Sequence, residues 1–232
     1  MAKKKKKRGK FKTLLYIVLC TLFILFLFLM LGAYVFKTGI STIVVKGNNI
    51  LSDDEIIEIS SLGDYPNFYL FSTSDVSSLL KQNQFIKDVS VKKKLFFEVE
   101  INVTEYKPLF IREDTDRIVF ETGKEIINDD KYELNVPFLV NYVPDTKYEK
   151  FIEKMIEIDD SIINKISDIK YYPNKYDEER FILYMNDSNR VYINLPKFRS
   201  LNKYNEMVTK FEGKTGVLYL DSGNYFEIDK KK

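Results

Sequence analysis

The sequence predicts one membrane-spanning α-helix followed by an α+β exterior, and three observations carry that prediction. Residues 14–36 hold no charged side chain, and eight Lys/Arg crowd the twelve residues before them. Beyond Lys37, short β-branched strands alternate with short helices that carry their own start signals. As a helix, 23 residues rise about 35 Å at ~1.5 Å per residue, enough to cross a hydrocarbon core of about 30 Å with some tilt. A continuous helix also satisfies its own backbone where no water is present to do so.

The basic cluster Lys3, Lys4, Lys5, Lys6, Lys7, Arg8, Lys10 and Lys12 sets the expected topology. Positive charge is retained in the cytoplasm, so residues 1–13 read as a cytoplasmic tail and everything after Lys37 as extracytoplasmic. A cleaved secretory signal would have a shorter apolar core, about 7–15 residues, and a small-residue cleavage site. The exit Leu31-Gly32-Ala33-Tyr34-Val35-Phe36 has no such site. Beside an apolar span, the lysine run reads as topology and lipid attraction rather than as a nucleic-acid patch.

Eight of the 36 Lys/Arg and none of the 34 Asp/Glu lie in the first twelve residues, which leaves 28 against 34, a net of −6. That mildly acidic exterior argues against nucleic acid as a partner. About 195 residues follow the span, enough for one large or two small domains. The single cysteine, Cys20, lies within the apolar run and reads as a lipid- or helix-facing residue, so the exterior folds without disulfides. There is no histidine, which removes Ser-His-Asp and Cys-His catalysis and imidazole metal sites. No catalytic, metal or cofactor residues are therefore assigned.

The exterior opens with residues 40–46, β-branched and strand-like, then a Gly47-Asn48-Asn49 turn. Ser52 and Glu55 have capping-box spacing ahead of Ile56, Ile57, Ile59 and Leu62, with Gly63 placed to end that helix. Ser72-Thr73-Ser74-Asp75 starts a second helix whose apolar face is Val76, Leu79 and Leu80. Strands at 86–92 and 97–106 follow, joined by Lys93-Lys94-Leu95. The order β-α-α-β-β suits two helices on one face of a three-stranded sheet.

Residues 43–52, 86–89 and 101–108 resemble a POTRA domain, and more narrowly the membrane-proximal POTRA of the FtsQ/DivIB cell-division family. The opening Val45-Lys46-Gly47-Asn48 with Leu51-Ser52, and the close Val103-Thr104-Glu105-Tyr106-Lys107-Pro108, carry the likeness. The family commonly has a proline in the β2–β3 hairpin, where this chain has Lys94-Leu95-Phe96. The resemblance implies a POTRA domain at 38–108, a β domain at 109–228 and a short tail at 229–232.

In that second domain, 117–121 and 124–127 flank a Thr122-Gly123 turn, and 136–140 is a short apolar run. Tyr148, Phe151, Ile152, Met155 and Ile156 form a helical stripe. Residues 166–172, 180–185 and 190–195 read as strands, with a turn at 186–189 between the last two, and Leu201, Tyr204, Val208 and Phe211 mark another helix. Residues 216–221 and 225–228 make a final hairpin. Its Gly216-Val217-Leu218-Tyr219-Leu220 and Gly223-Asn224-Tyr225-Phe226 resemble the family's β-domain ending, with Tyr219 where an acid is frequent.

The acid pairs Asp53-Asp54, Asp129-Asp130 and Asp159-Asp160 each have a local explanation at a helix start, a loop or a helix break. Lys92-Lys93-Lys94 reads as a solvated hairpin, with anionic lipid or wall polymer as the sharper alternative. A last strand that nothing later covers leaves unpaired N–H and C=O groups. On that ground Val217, Leu218, Tyr219, Leu220, Asp221, Tyr225 and Phe226 are the candidate partner-binding residues, against the plainer reading of a capped edge with core aromatics.

The resemblance implies a non-catalytic scaffold in the cell membrane at the division septum. It would hold small single-span coiled-coil proteins of the FtsL and DivIC/FtsB type and through them influence the septal peptidoglycan synthase. Two other classes stay open: a POTRA-bearing transport or secretion component, and a membrane-anchored wall-remodelling enzyme.

Overall fold

The structure is a computed structural model; it describes residues 2–129, 131–132 and 134–229, and side chains from Phe11 onward. The chain divides into two compact units, Met1–Thr104 and Glu105–Lys232. Pro108, expected to close the first domain, is instead the first residue of β4 (Pro108–Arg112) and pairs with Phe120 in the second unit.

The first unit begins with α1 (Ala2–Lys37), whose stretch Phe11–Lys37 is long and apolar enough to cross a membrane. The helix runs unbroken through residues 2–13, read above as a tail; the side chains of Lys3–Lys7, Arg8 and Lys10 lie outside the described residues, while Lys12 and Cys20 are exposed. After four residues comes β1 (Thr42–Lys46), which pairs in parallel with β3 (Glu98–Glu105), Thr42 opposite Glu98. β2 (Ile86–Lys93) lies on the other side of β3, giving the order β1-β3-β2.

The alternation read in β3 sends Val99, Ile101 and Val103 into the core beneath α2 (Asp53–Ile59) and α3 (Thr73–Leu80). Ser52 caps α2 as the spacing requires: its hydroxyl accepts from the Glu55 N–H, and the Glu55 carboxylate accepts from the Ser52 N–H. Gly63 does not end that helix. The Ser60 hydroxyl donates to the Ile57 carbonyl at 2.6 Å, and Ser61 takes the left-handed conformation at φ 57°, so closure comes two residues early. In α3, Val76 and Leu80 are buried while Leu79 faces out. Gly47 (φ +83°) cannot be replaced freely, because a Cβ there would lie 2.3 Å from the Val103 carbonyl oxygen.

The second unit is one nine-stranded sheet in the order β12-β11-β10-β9-β8-β7-β4-β5-β6. Its remaining strands are β5 (Arg117–Phe120), β6 (Glu125–Ile127), β7 (Phe138–Leu139), β8 (Ile166–Tyr171), β9 (Arg180–Met185), β10 (Arg190–Asn194), β11 (Gly216–Tyr219) and β12 (Tyr225–Ile228). Five of the eight strand junctions are antiparallel; β4–β7, β7–β8 and β10–β11 are parallel. Helices α4 (Asp145–Ile156) and α5 (Asp160–Ile163) contribute to the core. There the Phe151 and Phe181 rings stack at 4.9 Å, with Phe198 set edge-on to both.

The helix expected at Leu201–Phe211 is in fact three pieces: a 3-10 segment Leu195–Lys203, α6 (Tyr204–Val208) and a 3-10 turn Thr209–Phe211. The cause is a strict period of three. Leu195, Phe198, Leu201 and Tyr204 are all buried, and a 3-10 helix puts every third side chain on one line.

Candidate functional site

The seven candidate residues all fall at one end of the nine-stranded sheet, but on three different surfaces. β11 is not an edge. It lies between β10, to which it runs parallel, and β12, to which it runs antiparallel. Leu218 and Leu220 belong to the core, and Phe226 packs against that core with its ring stacked 3.7 Å from Phe211. Val217 is buried on the opposite face of the strand, since successive residues of a strand alternate. Asp221 is tied inward: Arg180 Nε donates to its carboxylate at 2.6 Å. Residues 217–219 are therefore already paired on both sides, and an added strand has no access to them. Sequence periodicity cannot reveal this, because it depends on which distant strand flanks β11.

Among the described residues, the open edge at this end of the sheet is β12, its outermost strand. The register fixes which of its backbone groups are free. The Asp229 N–H donates to the Thr215 carbonyl at 3.0 Å, so the ladder continues one step past Ile228. In an antiparallel pair, hydrogen-bonded and non-hydrogen-bonded positions alternate. Tyr225 and Glu227 therefore turn their backbone groups toward β11, and Phe226 and Ile228 turn theirs outward. Ile228, absent from the sequence-based candidates, thus contributes an outward N–H and C=O beside a half-exposed side chain.

On the face opposite the core, cross-strand register builds an aromatic row. Tyr192, Tyr219 and Tyr225 are consecutive partners on β10, β11 and β12. Tyr192 stacks on Tyr219 at 5.2 Å, and Tyr219 on Tyr225 at 4.6 Å. The Arg180 guanidinium caps the row 4.1 Å over the Tyr192 ring. The Tyr219 hydroxyl donates to Glu227 at 3.3 Å, and burial, reinforced by that carboxylate, raises its pKa above the ordinary tyrosine value. Tyr225, at 51% exposure, ends the row at the open edge. Gly216 lets the two last strands close: a Cβ there would lie 2.1 Å from the Glu227 carbonyl oxygen.

The acid pairs stay dispersed. Asp53 accepts from the Asn48 amide at the start of α2, and Asp160 pairs with Lys107 at 2.5 Å. Asp130 lies outside the described residues. Among the described residues, no group of three or more His, Cys, Asp or Glu is placed to hold a metal ion.

A single apolar helix followed by a β-α-α-β-β domain and a mixed sheet defines the class of protein carrying a POTRA domain of FtsQ type, and the profile described as "POTRA domain, FtsQ-type" matches residues 38–106. The cell division protein DivIB of Bacillus subtilis is 30% identical over 215 residues, spanning 88% of this chain and 81% of that protein. DivIB of Listeria monocytogenes is 28% identical over 192 residues, spanning 80% and 71%. The chain belongs to the DivIB family of cell-division proteins. The solved major extracytoplasmic domain of DivIB from Geobacillus stearothermophilus, in its trans isomer, aligns at a TM-score of 0.38 and 20% identity, covering 47% of this chain and 96% of that one.

Proposed function

We propose that this DivIB-family protein is a non-catalytic scaffold of the division septum. It is anchored by α1 with its N-terminus in the cytoplasm, and it holds the small single-span coiled-coil partners of FtsL and DivIC/FtsB type by strand addition at β12. Through them it would bear on the septal peptidoglycan synthase. The observation that supports this best is the position of β12 at the end of the sheet, with the backbone groups of Phe226 and Ile228 turned outward. An added strand is held by main-chain hydrogen bonds, while neighbouring side chains set register and specificity. Tyr225 and the row behind it supply a rigid aromatic border for such a strand. The basic start of the chain supports the N-in orientation.

Ile228→Pro tests the mechanism. Proline removes an outward donor and leaves the bonds between β11 and β12 in place, and edge strands tolerate it. The full-length variant in detergent should keep its circular dichroism and capture FtsL- and DivIC-type partners about tenfold more weakly, the equivalent of one hydrogen bond of ~1.4 kcal/mol. Capture at wild-type affinity by the folded variant would place the partner elsewhere.

A further inference from the structure

We propose that the β2–β3 hairpin tip, Leu95 and Phe96, inserts into the interfacial layer of the bilayer beside the exit of α1, so that the POTRA domain is seated on the lipid at a second point. The argument starts from topology. β1 leaves α1 after four residues and runs parallel to β3, so the turn that precedes β3 lies at the α1 end of the sheet. Contacts confirm that placement. The Ser41 N–H donates to the Phe97 carbonyl at 2.9 Å and the Ser41 hydroxyl to the Phe96 carbonyl at 2.7 Å. The Phe97 ring meets Tyr34, in the last turns of α1, at 6.3 Å. A tyrosine at that point of a span lies at the membrane–water boundary, so the residue before Phe97 lies at the same depth.

At that depth the tip presents apolar groups outward. Leu95 is 81% and Phe96 86% exposed, whereas β3, the strand that follows them, alternates in and out normally. Phe96 and Phe97 both adopt left-handed backbone, φ 60° and 62°, without a glycine. The charges around the tip suit a lipid surface. Lys92 is exposed beside it. Lys93 lays its stem across Phe71, with the ammonium 4.1 Å over that ring and donating to the Phe71 carbonyl. Lys94 pairs with Glu100 at 3.3 Å. Lysines flanking an apolar tip reach headgroup phosphates while their stems stay against apolar surface. Continuity with the span decides the occupant: a tip held against the end of α1 meets lipid before it meets any soluble partner.

The inference rests on α1 being a span, and the experiment separates the two. The chain has no tryptophan, so single substitutions give clean reporters. Phe96→Trp, Phe26→Trp and Gln82→Trp would each be made in the full-length protein and reconstituted in nanodiscs of phosphatidylcholine with phosphatidylglycerol. Phe26 reports the span, and Gln82 lies just ahead of the start of β2, at the opposite end of the sheet from the tip. Brominated phosphatidylcholine should quench Phe96→Trp and Phe26→Trp and leave Gln82→Trp unaffected. Emission of Phe96→Trp should shift to the blue relative to Gln82→Trp. Quenching at Phe26→Trp with none at Phe96→Trp overturns this inference alone. A loss of quenching at both overturns the span as well. A blue-shifted but unquenched Phe96→Trp means the tip packs on protein, and that also overturns it.

Discussion

Arg180 and Asp221 meet at 2.6 Å with side chains only 13% and 9% exposed, joining β9 to the turn beyond β11 across the intervening β10. The Asp221 carbonyl also accepts from Lys197, as does that of Leu220. Asp221 thus holds the sheet end together rather than presenting a charge to a partner. Asp221→Ala should lower stability by about 2–3 kcal/mol, because a buried guanidinium is left unpaired. The double variant with Arg180→Ala should lose less than the two single losses combined, since neither charge is then orphaned. Urea unfolding in detergent, followed by near-ultraviolet circular dichroism, measures both.

Gly216→Ala should detach the edge. The new methyl group has no room beside the Glu227 backbone, so β12 must shift away from β11 and loosen Phe226 from Phe211, while the core around β8 and β9 is spared. Hydrogen exchange should rise at the Tyr225, Glu227 and Asp229 amides, which face β11, and stay near wild type in β8 and β9. Unchanged protection at those three amides would show that the strands absorb the methyl group.

How much could be read from the chain itself follows from the range of the forces involved. The Ser52–Glu55 cap, the Val99-Ile101-Val103 alternation and the Thr122-Gly123 turn are settled by neighbours within a few residues, and all were legible. Leu201, Tyr204, Val208 and Phe211 were legible as a helical stripe, but Leu195 and Phe198, which extend it backward at a period of three and make its first part a 3-10 segment, were not read with it. The aromatic row and the flanking of β11 were not legible. Tyr192 and Tyr219 lie 27 residues apart, and only the parallel β10–β11 register makes them neighbours. Phe96 was hidden for the opposite reason: its left-handed backbone has no glycine to announce it.

Acid should weaken the first unit at a definite place. Glu100 is held down to about 2 by hydrogen bonds from Lys46, Asn102 and Lys94, well below the ordinary 4.5. A carboxylate with a depressed folded-state pKa contributes stability that is complete above its unfolded value. That contribution therefore begins to fade below about pH 4.5 and is lost as pH falls through about 2. Lys46, raised above its ordinary value by the same bond, loses its share only at strongly alkaline pH. Glu100→Gln should flatten the acid limb of a stability profile. Added salt should shrink the effect, because Lys46 is largely solvent-exposed.

Ser52→Ala should cost about 1 kcal/mol by removing the N-cap acceptor of α2. The loss should appear as faster amide exchange at Glu55, whose N–H is left without its partner. Ser52→Asp should restore most of the protection.

The parallel pairing of β1 with β3 has a mechanical consequence. The chain enters the three-stranded sheet at the start of β1 and leaves it at the end of β3, so tension between α1 and the second unit pulls two parallel neighbours in opposite directions. The five matched residue pairs of that ladder are then loaded in shear, together, instead of being peeled apart one after another. A chain pulled at both ends of this domain is thereby built to carry load along its own backbone, and its weakest response to force should lie outside this domain.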